Sequence, residues 1–313
     1  MSQGRLDTRS KISSLLAELE SEGVINGLGN EARRLSLTEQ IIESYRRIEY
    51  VRRIRDRDIS DQRCDPESEL FDPLKAAVSF HRAGDLDESF WMIFLFVHFG
   101  KNARGGWRYA REVYNALGQR ERWTWQNTSS DPKGFRTWLA SNAEHIKRKN
   151  PPGGFGNHRK YTSLKAHSGS GTGAAFESYV DWIGLSSHQE RFSQITLDCE
   201  NDSASRFDAL CQSMSEVKSF GRMAIFDYLC MVGKVGLFDV EPGSVYVANA
   251  TGPKAGGKLL FAGDSKAKCS NSQLEEDYAK LGAKLKLPFI MQVLEDAICN
   301  WQKSPDKFRA FRG

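Results

Sequence analysis

The sequence lacks the cysteine spacings that hold metals in small folds. Its cysteines lie far apart and include no C-x-x-C pair: Cys64, Cys199, Cys211, Cys230, Cys269 and Cys299. Zinc-ribbon spacing is therefore excluded, and so is the closely spaced four-cysteine loop that is typical of an iron–sulfur cluster. We predict reduced, mostly buried thiols, no metal and no cofactor.

Long apolar runs are also missing. The longest, residues 90–99, is interrupted by His98 and has about half the length needed to cross a bilayer. The first residues, MSQGRLDTRSK, lack the apolar core of a signal peptide. With 40% hydrophobic and 27% charged residues the composition is that of a soluble globular protein, so we expect a cytoplasmic protein without a membrane partner.

Alternation with the period of a β-strand is rare, and only residues 243–249 and 258–261 are candidates for short extended segments. Apolar residues at helical spacing predict an all-α fold instead. The predicted helices are 5–22, 37–57, 73–83, 85–99, 107–117, 133–148, 174–183, 187–195, 205–216, a helix after 221, 272–285 and 288–302.

The domain division follows from a polar stretch, ISDQRCDPESELF, at residues 58–70. We interpret it as a linker between an N-terminal helical extension, 1–67, and a main domain, 68–313. In the main domain the segment FWMIFLFVHFG is apolar on every side, which predicts a fully buried central helix with His98 in the core. Six arginines between Arg46 and Arg57 indicate either a solvated helix end or an arm that contacts phosphates.

The segment VKSFGRMA, residues 217–224, joins two amphipathic helices and predicts a helix-hairpin-helix. Backbone amides at a glycine turn and a fresh helix N-terminus attract anions. Lys218, Gly221 and Arg222 are therefore candidate contacts to DNA phosphates.

A long irregular segment, residues 150–173, is rich in glycine and proline, and loops of this kind are often functional. Asn157, His158, Arg159 and Lys160 are candidates for gripping phosphates, and Tyr161 for contacting a base. A mobile, solvated loop is the alternative. Trp123 and Trp125 lie on another predicted loop, where they either stack on a base or, more commonly, pin the loop to the core.

Three blocks, FGRMAIFDYL, KVGLFDVEPGSVYV and ATGPKAGGKLLF, resemble the alpha-glutamyl/putrescinyl thymine pyrophosphorylases, with FGNHRKYTSL as a further shared block. That family has the helix-hairpin-helix DNA glycosylase fold and includes anti-phage glycosylase relatives. The resemblance implies a two-lobed helical fold, an active cleft between the lobes, base flipping, and double-stranded DNA with modified bases as the partner.

Three acids compete for the catalytic position. In the resembled superfamily the catalytic aspartate follows the hairpin's second glycine by about twenty residues, which indicates Glu241 here, with Asp239 nearby. The Schiff-base lysine of bifunctional glycosylases is replaced by Met223, a candidate pocket residue with Tyr161, so we expect a monofunctional enzyme that leaves an abasic site. Asp227, four residues after Met223, shares its helical face, and we rank it first.

The stretch ATGPKAGGK, residues 250–258, predicts a loop whose glycine amides and Lys254 hold a phosphate or diphosphate, with glycines needed only for packing as the alternative. Three functions fit these residues. The first, implied by the resemblance, is a bacterial or phage-encoded DNA glycosylase (a hydrolase) that excises a hypermodified or glycosylated pyrimidine from phage DNA. The others are a transferase that attaches an amine to activated 5-hydroxymethyluracil, and a non-catalytic module that binds modified DNA.

Overall fold

A computed structural model describes residues 3–119, 121–148, 153–159, 161–199 and 201–310, with side chains from residue 8 onward except that of His158. Fourteen α-helices occupy these ranges. They are α1 (Gln3–Ser21), α2 (Glu31–Arg55), α3 (Pro73–Ala83), α4 (Leu86–Phe99), α5 (Arg108–Tyr114), α6 (Trp125–Ser130), α7 (Pro132–Arg148), α8 (Thr172–Ile183), α9 (His188–Ile195), α10 (Ser203–Ser213), α11 (Arg222–Val235), α12 (Thr251–Ala262), α13 (Asn271–Leu285) and α14 (Ile290–Trp301). The predicted all-α class is confirmed.

The two predicted extended segments are wrong. Across the described ranges no residue belongs to a β-strand, and a single isolated bridge joins Asn102 to Gly106. Residues 243–249 form turns and end in a 3-10 turn, Val247–Asn249, while residues 258–261 lie inside α12. The alternation in GSVYVAN reflects alternate burial along a turn, since an isolated segment without a pairing partner cannot satisfy a strand's hydrogen bonds.

The chain packs as two compact units, one of residues 52–241 and the other of residues 1–51 with 242–312. This division does not follow the linker at residues 58–70. The predicted domain boundary between residues 67 and 68 concerns which segments fold on their own, and it stays a prediction.

The unit of residues 52–241 has α4 at its centre. Six consecutive side chains of α4, Phe90 to Leu95, are fully buried. Phe94 stacks on Tyr179 of α8 with ring centroids 4.1 Å apart. His98 is 1% exposed and its Nε2 lies 3.0 Å from Thr172 Oγ1, so the predicted core position of this histidine is confirmed.

Local signals in the sequence fix the ends of these helices. Asp72 accepts hydrogen bonds from the amides of Leu74 and Lys75 at the start of α3, and Ser187 forms a capping box with Glu190 at the start of α9. Each such cap stabilises a helix by about 1 kcal/mol. Gly84 ends α3 in the left-handed backbone conformation, which glycine adopts without strain because it has no Cβ.

The other unit buries one face of each of its helices around a single core. Leu16 of α1, Ile41 of α2, Leu274 of α13 and Trp301 of α14 are all at most 1% exposed. The loop predicted at residues 250–258 is wrong: α12 begins at Thr251, and only Ala250, its N-cap, is extended. Pro253 is tolerated since it lies in the first turn, where the helix needs no amide from it.

Candidate active site

The segment predicted as a hairpin consists of α10, a 3-10 turn at Met214–Glu216, a turn at residues 217–221, and α11. Phe220 anchors the turn, because its ring is 4% exposed and stacks on Phe94 of α4 at 4.9 Å. The amide of Lys218 donates to Ser178 Oγ of α8 at 2.9 Å. Ser219 has a positive φ of 64°, which closes the turn.

Exposed charge and helix amides meet at this turn. Gly221 is the N-cap of α11, and a glycine has no side chain with which to accept the hydrogen bonds of the first-turn amides. Lys218 is exposed and Arg222 is half-buried beside it. The N-terminal end of α11 therefore offers the hydrogen-bond donors and the positive charge that bind a DNA phosphate.

Asp227 lies one turn along α11, on the face of Met223, as predicted from their spacing. Met223 is 43% exposed and the Asp227 side chain 37%, so this face reaches solvent next to the turn. An ion pair balances the charge of Asp227, since Arg159 Nη2 lies 2.8 Å from its Oδ2.

Arg159 is directed into the protein. Its side chain is 9% exposed, and its Nε donates to the carbonyl of Val97 at 2.7 Å. It comes from a short 3-10 turn, Asn157–Arg159, that follows the close contact of Gly156 with Gly100 of the α4 C-terminus. The irregular segment and α11 thus meet at one carboxylate, a contact between residues 68 positions apart that sequence spacing cannot reveal.

The other residues of the irregular segment differ in placement. Asn157 is exposed, and Tyr161 is 89% exposed, so the phenol is open to solvent. Lys160 and the side chain of His158 lie outside the described residues. Their predicted contacts with DNA, like those of Asn157 and Tyr161, stay predictions.

The two rival acids lie beyond the C-terminal end of α11. Asp239 pairs with Arg206 of α10 at 2.6 Å, and its side chain is 76% exposed. Glu241 is half-buried, and its amide lies 3.4 Å from the carbonyl of Ser203. Asp227 is paired with Arg159 of the irregular segment, and Asp239 with Arg206 of α10.

A chain of buried hydrogen bonds holds α11 in place through Tyr228, the residue next to Asp227. The sequence carries no signal for it. Tyr228, next to Asp227, lies 2.7 Å from Tyr179, whose hydroxyl lies 2.9 Å from Nε2 of His188, and Nδ1 of His188 lies 2.7 Å from Asp87. Burial lowers the pKa of His188, although Asp87 opposes the shift. Burial would raise the pKa of Asp87, but the hydrogen bonds and charge of His188 outweigh it and lower that pKa. Four helices are tied together in this way.

The tryptophans considered for base stacking are both buried. Trp123 is 1% exposed, and its carbonyl accepts from Nε1 of Trp91 at 2.9 Å. Trp125 is 8% exposed and opens α6 instead of lying on a loop. Their role is to anchor this region to the core, the commoner of the two interpretations.

Lys254 lies in the other unit, on α12, where an open depression is lined by Asn249, Thr251, Lys254, Lys258 and Ser265 among others. The glycines predicted to hold a phosphate serve packing. A Cβ at Gly256 would lie 2.6 Å from Ile298 Cγ2, and one at Gly257 would lie 2.8 Å from the Tyr278 ring. Contact of Lys254 with phosphate stays a prediction.

The described ranges include no group of three or more histidine, cysteine or acidic side chains placed to hold a metal ion. None of their helices is long and apolar enough to cross a membrane. None of the six cysteines forms a disulfide; Cys230 is buried and the other five are half-buried, so the predicted burial is complete at Cys230 and partial elsewhere.

Comparison with protein families decides the relationship that the sequence blocks indicate. The model of alpha-glutamyl/putrescinyl thymine pyrophosphorylase clade 3 matches residues 32–313. The chain belongs to this family. No curated protein and no solved structure matches it significantly. The family's name places it in the chemistry of modified thymine, and the match includes both Asp227 and Arg159.

Proposed function

We propose that the chain is a monofunctional DNA glycosylase that excises a modified pyrimidine, with Asp227 as its catalytic carboxylate. The observation that carries this proposal is the Arg159–Asp227 pair, which joins the irregular segment to α11, the second helix of the predicted hairpin. Double-stranded DNA carrying hypermodified or glycosylated bases, as in some phages, is the substrate. Defence against such phages is the setting in which this activity would serve a bacterium.

The chemistry needs an anionic group near C1′ of the deoxyribose. Cleavage of an N-glycosidic bond develops positive charge on the sugar, and a carboxylate stabilises it or orients the attacking water. Asp227 meets this need because its carboxylate is partly exposed while a buried arginine holds it in place. Its neighbour on the same face, Met223, has no amine, so a Schiff base cannot form there.

The hairpin supplies the DNA contacts. Lys218, Arg222 and the first amides of α11 would hold a phosphate beside the flipped nucleotide. Asp227 lies five residues after Arg222 on α11, roughly 7.5 Å along the axis by the rise of an α-helix. This distance suits a sugar whose own phosphate lies at the turn.

The test is incubation of the purified protein with genomic DNA from phages that carry different modified pyrimidines, and with unmodified DNA. Mass spectrometry detects free bases and an aldehyde-reactive probe detects abasic sites. We expect a released modified base with abasic sites, and about a 1000-fold loss of release, roughly 4 kcal/mol, in Asp227→Asn.

Two variants serve as controls. Asp239→Asn removes an exposed carboxylate with its own arginine partner and should keep most activity. Glu241→Gln tests the acid that family spacing indicates. If no DNA yields a free base, the glycosylase proposal is rejected; if Glu241→Gln abolishes release and Asp227→Asn does not, the assignment of Asp227 is rejected.

The family's name favours a second candidate function, a transferase that displaces pyrophosphate from activated 5-hydroxymethyluracil in DNA and attaches an amine. In that reaction Asp227 would act near the substituent on the base and not near C1′. Release of pyrophosphate from DNA carrying the activated base, with an amine present, would establish it. A non-catalytic module would bind modified DNA in both assays without changing it, and Asp227→Asn would leave that binding intact.

A further inference from the structure

Arg108, at the start of α5, is a buried cation whose nitrogens lack partners. Its side chain is 5% exposed, and Nε, Nη1 and Nη2 have no hydrogen-bond partner within the described part of the chain. The guanidinium lies 5.6 Å from the centre of the Tyr109 ring. An unpaired charge of this kind costs several kcal/mol in a protein interior, so its presence calls for an anion.

The residues around Arg108 do not balance its charge. Glu112, 4% exposed and one turn along α5, forms its ion pair with Arg111 at 3.1 Å. One carboxylate therefore faces two guanidinium groups, and one positive charge remains. Burial lowers the pKa of Arg108, with Glu112 opposing the shift, yet an arginine keeps its proton at neutral pH.

Two further observations concern Trp107, which precedes Arg108 in the chain, and Gly153, which lies against it. Trp107, the preceding residue, also has a buried Nε1 with no partner among the described residues. Arginine and indole nitrogens only donate hydrogen bonds, so both need an acceptor. Gly153 lies against Arg108, and a Cβ at that position would be 2.6 Å from Nη2.

We propose that Arg108 anchors a binding site for a small oxyanion, a phosphate or a carboxylate. The planar guanidinium offers two parallel donors that match either group. The small exposed fraction of Arg108 selects a small or terminal group. Because Gly153 has no side chain, it leaves room for the guanidinium. Gly153 lies six residues before Arg159, the partner of Asp227, so a bound anion would also fix the stretch of chain that carries Arg159. This site does not depend on which reaction Asp227 performs.

The test measures the unfolding temperature of the whole protein in phosphate, diphosphate, glutamate or a short single-stranded DNA, each against chloride at equal ionic strength. At a hundredfold excess over Kd we expect a bound oxyanion to raise it by roughly 5 °C. A rise with phosphate or diphosphate identifies a free phosphate ligand, with glutamate alone a carboxylate, and with DNA alone a backbone phosphate.

Arg108→Met should abolish the rise without lowering the unfolding temperature in chloride, because it removes a charge that has no partner. Arg104→Met removes an exposed arginine of the same region and should keep the rise. Gly153→Ala, which places a methyl group against Nη2, should weaken binding at least tenfold by calorimetry, and it decides the matter if Arg108→Met does not fold. The proposal is overturned if no oxyanion acts on the wild type, or if the response survives in Arg108→Met or is unchanged in Gly153→Ala.

Discussion

Two glycine-rich segments with lysines, residues 153–173 and 250–258, look alike in the sequence and end in opposite structures. The first, which we call the 153–173 segment, leads into α8 at Thr172. It carries Arg159, which pairs with Asp227. The second, the 250–258 segment, is helical from Thr251. Glycine content therefore does not distinguish a loop from a helix. The distinction comes from the residues against which the glycines pack.

The spacing of the glycines explains the difference. Gly252 and Gly256 are four residues apart and so share a helical face, which allows close approach of Cys299 and Ile298 of α14. In the 153–173 segment, Gly153 and Gly154 approach side chains that precede or begin α5, and Gly156 approaches the backbone of Gly100. One set brings two helices together, and the other lets an irregular backbone follow a core.

The largest effect should come from Arg159, the residue of the 153–173 segment that pairs with Asp227. Arg159→Met leaves Asp227 without its ion pair, and we expect about a 100-fold loss of base release. Arg136→Met is the matched control: Arg136 also contacts this segment, at the carbonyl of Ala166, and is paired with Glu177. We expect less than a threefold loss there. Equal losses in the two variants would show that Arg159 serves only the fold.

A second comparison tests packing. Gly256→Val places carbon atoms where Ile298 now lies and should lower the free energy of unfolding by about 3 kcal/mol. Gly169→Val should change it by about 0.5 kcal/mol or less, because a Cβ at Gly169 meets nothing within 4 Å. Urea unfolding monitored by circular dichroism measures both. A tolerated Gly256→Val would contradict close packing of α12 on α14.

Acid should weaken the end of the 153–173 segment. Burial, and secondarily Arg159, lower the pKa of His98 to about 3, and its Nε2 contacts Thr172. The folded pKa lies below the unfolded value of about 6.5. The contribution of neutral His98 to the free energy of unfolding is therefore present above pH 6.5 and is lost as the pH falls toward 3. At pH 4.5 the loss is about 3 kcal/mol.

The neutral variant His98→Gln isolates this contribution. Its unfolding free energy should fall less than that of the wild type between pH 6.5 and 4.5, while other groups titrate equally in both proteins. Hydrogen exchange at the amide of Thr172, which donates to Ser163, provides a local measurement. Parallel pH profiles would mean that His98 is not kept neutral by burial.

The smallest effect concerns the lysines. If Lys254 contacts a DNA phosphate, Lys254→Ala should reduce the slope of log affinity against log salt by about 0.9, as Lys218→Ala should at the hairpin. An unchanged slope for Lys254→Ala with a reduced one for Lys218→Ala would leave the 250–258 segment with a packing role alone. Fluorescence anisotropy at several salt concentrations gives both slopes.

Helices could be predicted well because their signals are local. The start of α3 at Pro73 and the apolar periodicity of α11 depend on a few neighbouring residues, and the family blocks are likewise read in order along the chain. The shared face of Met223 and Asp227 follows from the period of a helix alone. The start of α2 at Glu31 lies six residues before the predicted position, and its signal is the N-cap Asn30, whose Oδ1 accepts from the amide of Arg33 at 2.9 Å.

The sequence by itself determined the helical class, most helix positions, the family and the preference for Asp227. Tertiary structure decided that Arg159 faces Asp227 and not solvent, that Arg108 is buried, and that the glycines of α12 contact α13 and α14. The physical reason is range. A helix is specified by residues three and four positions apart, whereas the pairing of a charge or the partner of a glycine depends on residues brought together only when the chain is folded.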